Sequence, residues 1–142
     1  MLYFDTSYLV RIYTKDAGWE MVRALAQTDS LACCIHGHVE TISAFHRKLR
    51  EGSLKPKEFG TLLAEFDRDS NAGAYRWLPL SPAVVARVVS TFAKLPSTVT
   101  LRAADAIHLA CASDAGFTKV YSNDTHLLTA AAHFGLTGEN VI

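Results

Sequence analysis

Four acidic residues have the chemistry and the placement to hold a metal ion. Asp5 directly follows a short apolar segment at the N-terminus, and Asp124 follows another such segment near the C-terminus. If both segments are parallel strands, these carboxylates meet at the carboxyl edge of the sheet, where folds of this class place their functional sites. Glu40 and Asp105 lie on helical segments that could reach the same edge. Oxygen-only ligands favour Mg²⁺ or Mn²⁺ over zinc, and such ions activate water for in-line attack on a phosphodiester.

A structural role accounts for Asp5 and Asp124 when each is considered alone. Each stands directly before a helical segment, where aspartate commonly caps the helix N-terminus. The neighbouring hydroxyls of Thr6, Ser7 and Thr125 already offer capping groups, however. We therefore expect capping not to be the main role of the two carboxylates.

Asp105 lies inside the helical segment LRAADAIHLACA, on a mostly apolar face. Aspartate is a poor helix former, and an ionised carboxylate on such a face is costly unless a cation or hydrogen-bond donors meet it. The structural alternative is a pair with Arg102, three residues earlier, or with His108, three residues later. Arg102 is also a candidate for contact with a reacting phosphate.

Glu40 lies in the first turns of the helical segment HVETISAFHRK, where the helix dipole alone would favour a glutamate. Its neighbours on the same face are small or polar and would leave room for a bound ion; they are His36, Gly37, Ser43 and Ala44. Because four clustered carboxylates repel one another, one of them is expected to have a raised pKa without metal. The same acidic edge is expected to attract an arginine or lysine from a partner protein.

Apolar segments alternate with helical ones along the whole chain. This alternation indicates βαβ units, and most connections are long enough to hold two helices. We predict an α/β fold with α/β/α layers around a central parallel sheet of four to five strands, in a single domain over residues 1–142. The predicted strands are Leu2–Phe4, Leu31–Ile35, Arg76–Leu80 and Lys119–Ser122, with Val141 and Ile142 as a candidate edge strand. The predicted helices cover residues 7–13, 17–27, 38–50, 56–69, a segment from Pro82, 100–115 and 125–135, with Asp16, Thr100 and Thr125 as caps.

Composition excludes several classes of protein. Hydrophobic residues make up 49% of the chain and charged residues 20%, so a disordered protein is excluded. Fourteen basic residues balance fourteen acidic ones, and any binding of nucleic acid must therefore use a local patch. The three cysteines lack metal-ligand spacing and are expected to be reduced, buried thiols of a cytoplasmic protein. No apolar run approaches the roughly 18 residues needed to span a membrane, and the N-terminus does not resemble a signal peptide.

A basic cluster covers the end of the predicted helix that carries Glu40 and the loop after it. Its members are Arg47, Lys48, Arg50, Lys55 and Lys57. The first interpretation is a solvated helix end favoured by the dipole, and the second is contact with a nucleic acid. The cluster lies two to three helical turns from Glu40, at ~1.5 Å per residue, which suits a flanking phosphate and not the reacting one.

Four segments of the chain resemble PIN-domain ribonucleases and, among them, the VapC-type toxins of toxin–antitoxin modules. The matching segments are YFDTSYLV, HVETISAFHRK, TLRAADAIHLACA and VYSNDTHLLTAA, in the order and spacing of that family. The resemblance implies that Asp5, Glu40, Asp105 and Asp124 are the catalytic, metal-binding acids. It assigns supporting roles to the small polar residues beside the first and last acids, which are Thr6, Ser7, Ser122 and Asn123.

The resemblance also implies an activity and partners. It implies an endoribonuclease dependent on Mg²⁺ or Mn²⁺ that forms a homodimer and is silenced by a VapB-type antitoxin. Two alternatives stay open: a housekeeping PIN nuclease of RNA processing without an antitoxin, and a catalytically silent PIN domain that binds RNA or protein. A phosphatase with Asp5 as nucleophile is disfavoured, because position 7 is Ser7 and not a second acid.

Overall fold

The computed structural model describes all 142 residues and contains five short strands connected by helices. The strands are β1 (Leu2–Tyr3), β2 (Leu31–Cys34), β3 (Tyr75–Leu78), β4 (Lys119–Tyr121) and β5 (Thr137–Glu139). The helices are α1 (Thr6–Tyr13), α2 (Trp19–Ala26), α3 (Ile35–Arg50), α4 (Pro56–Asn71), α5 (Pro82–Phe92), α6 (Ala103–Asp114) and α7 (Thr125–Ala130), and a 3-10 helix covers Ala131–Phe134. Each of the first three crossovers holds two helices, as the sequence predicts.

All strand pairs are parallel. One sheet has the order β1-β2-β3, and β4 pairs with β5 in a second, two-stranded sheet. A single parallel bridge between Phe4 and Tyr121 joins β1 to β4, so the five strands follow the order β3-β2-β1-β4-β5. The predicted α/β class with a parallel sheet is confirmed. The prediction of an edge strand at Val141 and Ile142 is wrong, because the fifth strand precedes them.

Strand β2 is buried on both faces, as an interior parallel strand must be. Its residues alternate between two cores: Ala32 and Cys34 pack into the core that contains α6, while Leu31 and Cys33 pack into the core that contains Tyr8 and Phe66. Helices therefore cover the sheet on two sides. The three cysteines are free and buried, in agreement with the sequence.

Helix α3 begins at Ile35, directly after β2, and not at the predicted residue 38. Two further predicted helix starts are wrong. The helix that carries Asp105 begins at Ala103, with Arg102 at the cap position and no side-chain cap, so Thr100 plays no capping part. Helix α2 begins after Gly18, whose φ of 81° lies in the left-handed region, and not at Asp16. Both differences arise in loops, where the chain direction depends on tertiary contacts and not on local capping preference. None of the helices combines the length and the hydrophobicity that a membrane span requires.

Gly37 allows α3 to pack closely against the strand and helix behind it. A Cβ atom at this position would collide with the Cys33 sulfur and lie 3.0 Å from Cε1 of His108. The sequence suggested that Gly37 leaves room for an ion, and this suggestion is wrong, because Gly37 instead makes room for these two side chains. The close packing fixes the part of α3 that carries Glu40.

We predict that Gly37→Ala lowers the free energy of unfolding by about 1–3 kcal/mol, the usual cost of overpacking a core. Gly60→Ala is the matched control, because Gly60 lies within α4 and a Cβ atom added there would meet no other atom within 4 Å. That control should raise stability by about 0.5–1 kcal/mol, since alanine favours a helix interior. Urea unfolding measures both variants, and equal stability of the two would contradict this account of Gly37.

Candidate functional site

The four predicted acids line one open cleft of about 470 Å³ at the carboxyl edge of the strands. Asp5 follows β1, Glu40 lies in the second turn of α3, Asp105 lies in the first turn of α6, and Asp124 precedes α7. The three aspartates therefore stand at helix N-termini, where the helix dipole stabilises negative charge. The fold brings together residues that are up to 119 positions apart in the sequence.

Asp5 is almost fully buried, with 5% of its surface exposed. One carboxylate oxygen accepts hydrogen bonds from Ser7 Oγ at 2.6 Å and from the backbone N–H of Tyr8 at 3.1 Å, and the other accepts from Ser122 Oγ at 2.5 Å. Burial raises the pKa of Asp5, although these donors oppose the rise. The expected raised pKa is therefore present, but its main cause is desolvation and not repulsion between carboxylates.

Asp5 and Asp124 both cap helices, contrary to the expectation from their neighbours. Asp5 accepts from the Tyr8 N–H of α1, and Asp124 Oδ1 accepts from the N–H groups of His126 at 2.8 Å and Leu127 at 3.2 Å. The nearby hydroxyls are engaged elsewhere: Thr6 bonds Glu40, and Ser7 bonds Asp5 itself. Each cap uses Oδ1 of its aspartate, so Oδ2 of Asp124 remains directed away from the capped helix.

The predicted supporting residues connect the first and last acids. Ser122 Oγ donates to Asp5 and accepts from the backbone N–H of Asp124 at 2.9 Å. Ser7 Oγ accepts from the N–H of Asn123 at 3.2 Å while it donates to Asp5. These hydrogen bonds tie the loop after β4 to the start of α1.

Glu40 is held by two donors that lie on other elements. Its Oε2 accepts from Thr6 Oγ1 at 2.7 Å and lies 2.7 Å from Nε2 of His108, while Oε1 is 3.6 Å from His36. Burial would raise the pKa of Glu40, but the bonds from His108 and Thr6 outweigh it, and the pKa is lowered. Glu40 is thus an ionised carboxylate in the cleft.

His108 is a site residue that the sequence suggested only as a possible partner of Asp105. Only 3% of it is exposed, and its Nδ1 lies 2.9 Å from the Tyr3 hydroxyl. Burial disfavours the charged ring, but the Cys33 sulfur and the Glu40 carboxylate outweigh it, so the pKa of His108 is raised well above its usual value. The sequence carried only a weak signal for this role, namely the spacing of three residues from Asp105 on the same helix.

Arg102 lies between two of the acids. Its Nε donates to Asp105 Oδ2 at 2.9 Å, and its Nη2 donates to Asp124 Oδ2. The predicted pairing of Asp105 with Arg102 is confirmed, whereas the alternative pairing with His108 is wrong, because His108 bonds Glu40 instead. Three of the four predicted acids therefore contact a cationic side chain: Asp105 and Asp124 contact Arg102, and Glu40 contacts His108.

The donor set fits a hard divalent cation in its chemistry, because all four acids supply oxygen ligands. No group of three or more His, Cys, Asp or Glu side chains is close enough to enclose an ion in this arrangement. At Asp105 and Asp124 the reason is Arg102, because its guanidinium binds the Oδ2 atoms of both and occupies the space between them. A metal ion at these two acids would have to displace Arg102.

Part of the basic cluster also reaches the cleft. Arg47 and Lys48 line it, together with Arg11 of α1, whereas Arg50, Lys55 and Lys57 do not. The sequence interpretation of a solvated helix end therefore holds for only some members of the cluster. Arg11 was not singled out from the sequence, since an isolated basic residue in a short helix carries no signal of its own.

Comparisons with known proteins agree with this geometry. The structure is similar to VapC20 of Mycobacterium tuberculosis, a toxin that cleaves the sarcin-ricin loop, at 14% identity, with a TM-score of 0.71 and coverage of 92% of this chain and 95% of that one. It is similar to VapBC2 from Rickettsia felis, solved with a promoter DNA fragment, at 14% identity, a TM-score of 0.68 and coverage of 99% and 98%. It is also similar to FitAB bound to a DNA fragment, at 18% identity, a TM-score of 0.74 and coverage of 99% and 94%.

These likenesses concern the fold, because every identity is below 20%. No curated protein matches the sequence closely enough to count as a relative. The family model for the PIN domain matches residues 2–133, which is nearly the whole chain and includes all four acids. The chain therefore belongs to the PIN domain family.

Proposed function

We propose that this protein is an endoribonuclease that depends on Mg²⁺ or Mn²⁺ and acts as the toxin of a toxin–antitoxin module. The observation that carries the proposal is the convergence of Asp5, Glu40, Asp105 and Asp124 in one open cleft. Membership of the PIN family and the similarity to nuclease toxins support it. The cleft is open to solvent and polar, as a site for an extended phosphodiester chain requires. An RNA substrate implies action in the cytoplasm.

Each residue of the cleft has a distinct task in this proposal. Asp5, Asp105 and Asp124 would hold the metal directly, and Glu40 would hold it directly or through water. When bound, the metal would supply a water of lowered pKa and stabilise negative charge on the phosphate. His108 and Thr6 keep Glu40 ionised and oriented. Arg102 would bind the reacting phosphate once it leaves the two aspartates. Hydrolysis by an activated water needs no covalent enzyme intermediate.

We predict that Asp5→Asn lowers the rate of RNA cleavage by more than about 100-fold, because it removes a ligand charge at nearly constant volume.

The folded pKa of Asp5 is raised, so the folded state holds this proton more tightly than the unfolded state. Its contribution to stability is therefore present at low pH and is lost as pH rises through the folded pKa. At neutral pH the variant should be at least as stable as the wild type without metal.

Asp67→Asn is the matched control, because Asp67 is exposed on α4 and makes no ion pair or hydrogen bond through its side chain. Cleavage of a labelled RNA and thermal unfolding, both with and without Mg²⁺, measure the two variants. Full nuclease activity of purified Asp5→Asn protein would overturn the assignment of the site.

We further propose that a VapB-type antitoxin silences the enzyme by placing an arginine among the four acids. A guanidinium at this place is chemically suitable, since Arg102 already binds Asp105 and Asp124 there. Apolar surface on Ile12 and on α4 would supply the remaining contacts. Tyr8, which precedes Ile12 by one helical turn on α1, is fully buried and contributes nothing to this surface.

Expression in a bacterial host tests the toxin role. We expect growth arrest by the chain alone, no arrest by Asp105→Ala, and rescue by co-expression of the small protein encoded next to it. Asp67→Ala should arrest growth like the wild type. Harmless expression of folded protein that cleaves RNA would contradict the toxin role and favour a housekeeping nuclease.

We also propose that the protein forms a homodimer, as the family resemblance implies. Its support is a set of large apolar side chains exposed on two helices, each spaced by three or four residues along one face. They are Ile35, Val39 and Ile42 on α3 and Val85, Val89 and Phe92 on α5.

A further inference from the structure

The acidic cleft continues into a groove between α1 and α3 whose charge changes sign along its length. Both helices begin at the carboxyl edge of the sheet, directly after β1 and β2, and both carry acids or their partners in their first turns. Further along the same groove, α1 presents Arg11 and α3 presents Arg47 and Lys48. The acidic end and the basic end are thus arranged along one direction.

The spacing on α3 places these groups on one face. Glu40, Ala44 and Arg47 are separated by four and three residues, the spacing of neighbours on a helix surface, and all three line the cleft. Seven residues of helix separate Glu40 from Arg47, a distance of ~10 Å at 1.5 Å per residue. Ala44 is small and leaves the groove open between them.

Two of the three basic groups carry charge that no acid of the chain neutralises. Lys48 pairs with Asp16 at 2.6 Å. Arg11 donates only to backbone carbonyls, to Ser7 at 2.7 Å and to Ala17 at 2.9 Å, so its guanidinium is oriented while its charge stays available. Arg47 is exposed and makes no hydrogen bond or ion pair within the chain. Two free cationic groups therefore border the groove.

The lining of the groove favours phosphate over bases as the group that is recognised. Its only apolar members are Val10 and Ala44, and no Phe, Tyr or Trp lines it. Bases of a single strand are usually held by stacking on aromatic rings, whereas phosphates are held by arginine and lysine. The groove therefore has the basic side chains that bind phosphates and lacks the aromatic rings that stack on bases.

We propose that Arg11 and Arg47 form a phosphate-binding subsite that holds single-stranded RNA next to the cleaved bond without reading its sequence. This rests on the proposed nuclease function and adds the path of the strand, from the acidic end of the groove towards the C-terminal ends of α1 and α3. The phosphate beside the reacting one lies between the two guanidinium groups. Base preference must then arise outside this groove.

Binding of labelled oligouridylate and oligoadenylate tests the subsite, measured by fluorescence anisotropy over a range of NaCl concentrations in EDTA, where no cleavage occurs. Each lost phosphate contact should reduce the slope of log K against log salt by about 0.7, the value for single strands. Arg47→Gln should show this reduction, and equally for both sequences. Arg50→Gln is the matched control, because Arg50 is an exposed, unpaired arginine on the same helix that does not line the cleft.

Equal slopes for Arg47→Gln and Arg50→Gln would overturn the subsite, as would a loss confined to one of the two sequences. Stronger competition by polyglutamate than by RNA of equal charge would also overturn it, in favour of an acidic protein segment as the occupant. The same experiments distinguish failure of the subsite from failure of the proposed nuclease function. If wild-type protein with Mg²⁺ cleaves RNA while the two slopes agree, only the subsite is wrong; if the slopes differ and no RNA is cleaved, only the nuclease is wrong.

Discussion

Keeping four carboxylates together at one edge of a sheet is the constraint on which the rest of this structure depends. Like charges in a partly buried cleft repel and lose hydration, so each needs donors or cations within the protein. Asp5 accepts hydrogen bonds from Ser7, Ser122 and a backbone N–H, and Glu40 is hydrogen-bonded to Thr6 and His108. Arg102 meets the remaining two acids. The chain thus supplies, from several elements, hydrogen-bond donors and positive charge that offset the negative charge of the four acids.

The same constraint explains why residues outside the acids are placed as they are. His108 can reach Glu40 because Gly37 lacks a side chain, and Tyr3 holds the far side of the imidazole. The buried strand β2 contributes Cys33, which packs against both Gly37 and His108. Packing inside the fold and charge balance in the cleft are therefore linked through one histidine. A substitution in the core behind α3 should therefore displace His108 and weaken its bond to Glu40.

Much of the fold could be predicted from the sequence, because alternating apolar and helical segments determine a parallel α/β arrangement largely by periodicity. Asp5 and Asp124 could be placed at the carboxyl edge by the same reasoning, since each follows a predicted strand. Contacts between distant elements could not be predicted. The bridge from Arg102 to Asp124, the bond from His108 to Glu40 and the burial of Tyr8 depend on the relative placement of helices, which local patterns do not specify. The capping role of Asp5 and Asp124 was underestimated for a related reason, because their hydroxyl neighbours are engaged by partners far away in the sequence.

We propose that the four acids form a metal site and that Arg102 occupies it when no metal is bound. Anomalous diffraction from crystals soaked in Mn²⁺ tests it most directly. The account predicts an Mn²⁺ peak bonded to oxygens of Asp5, Asp105 and Asp124, with Arg102 turned away from both aspartates. It would be contradicted by crystals that show no peak in the cleft and an intact bridge of Arg102 to Asp105 and Asp124, at an Mn²⁺ concentration that supports RNA cleavage in solution.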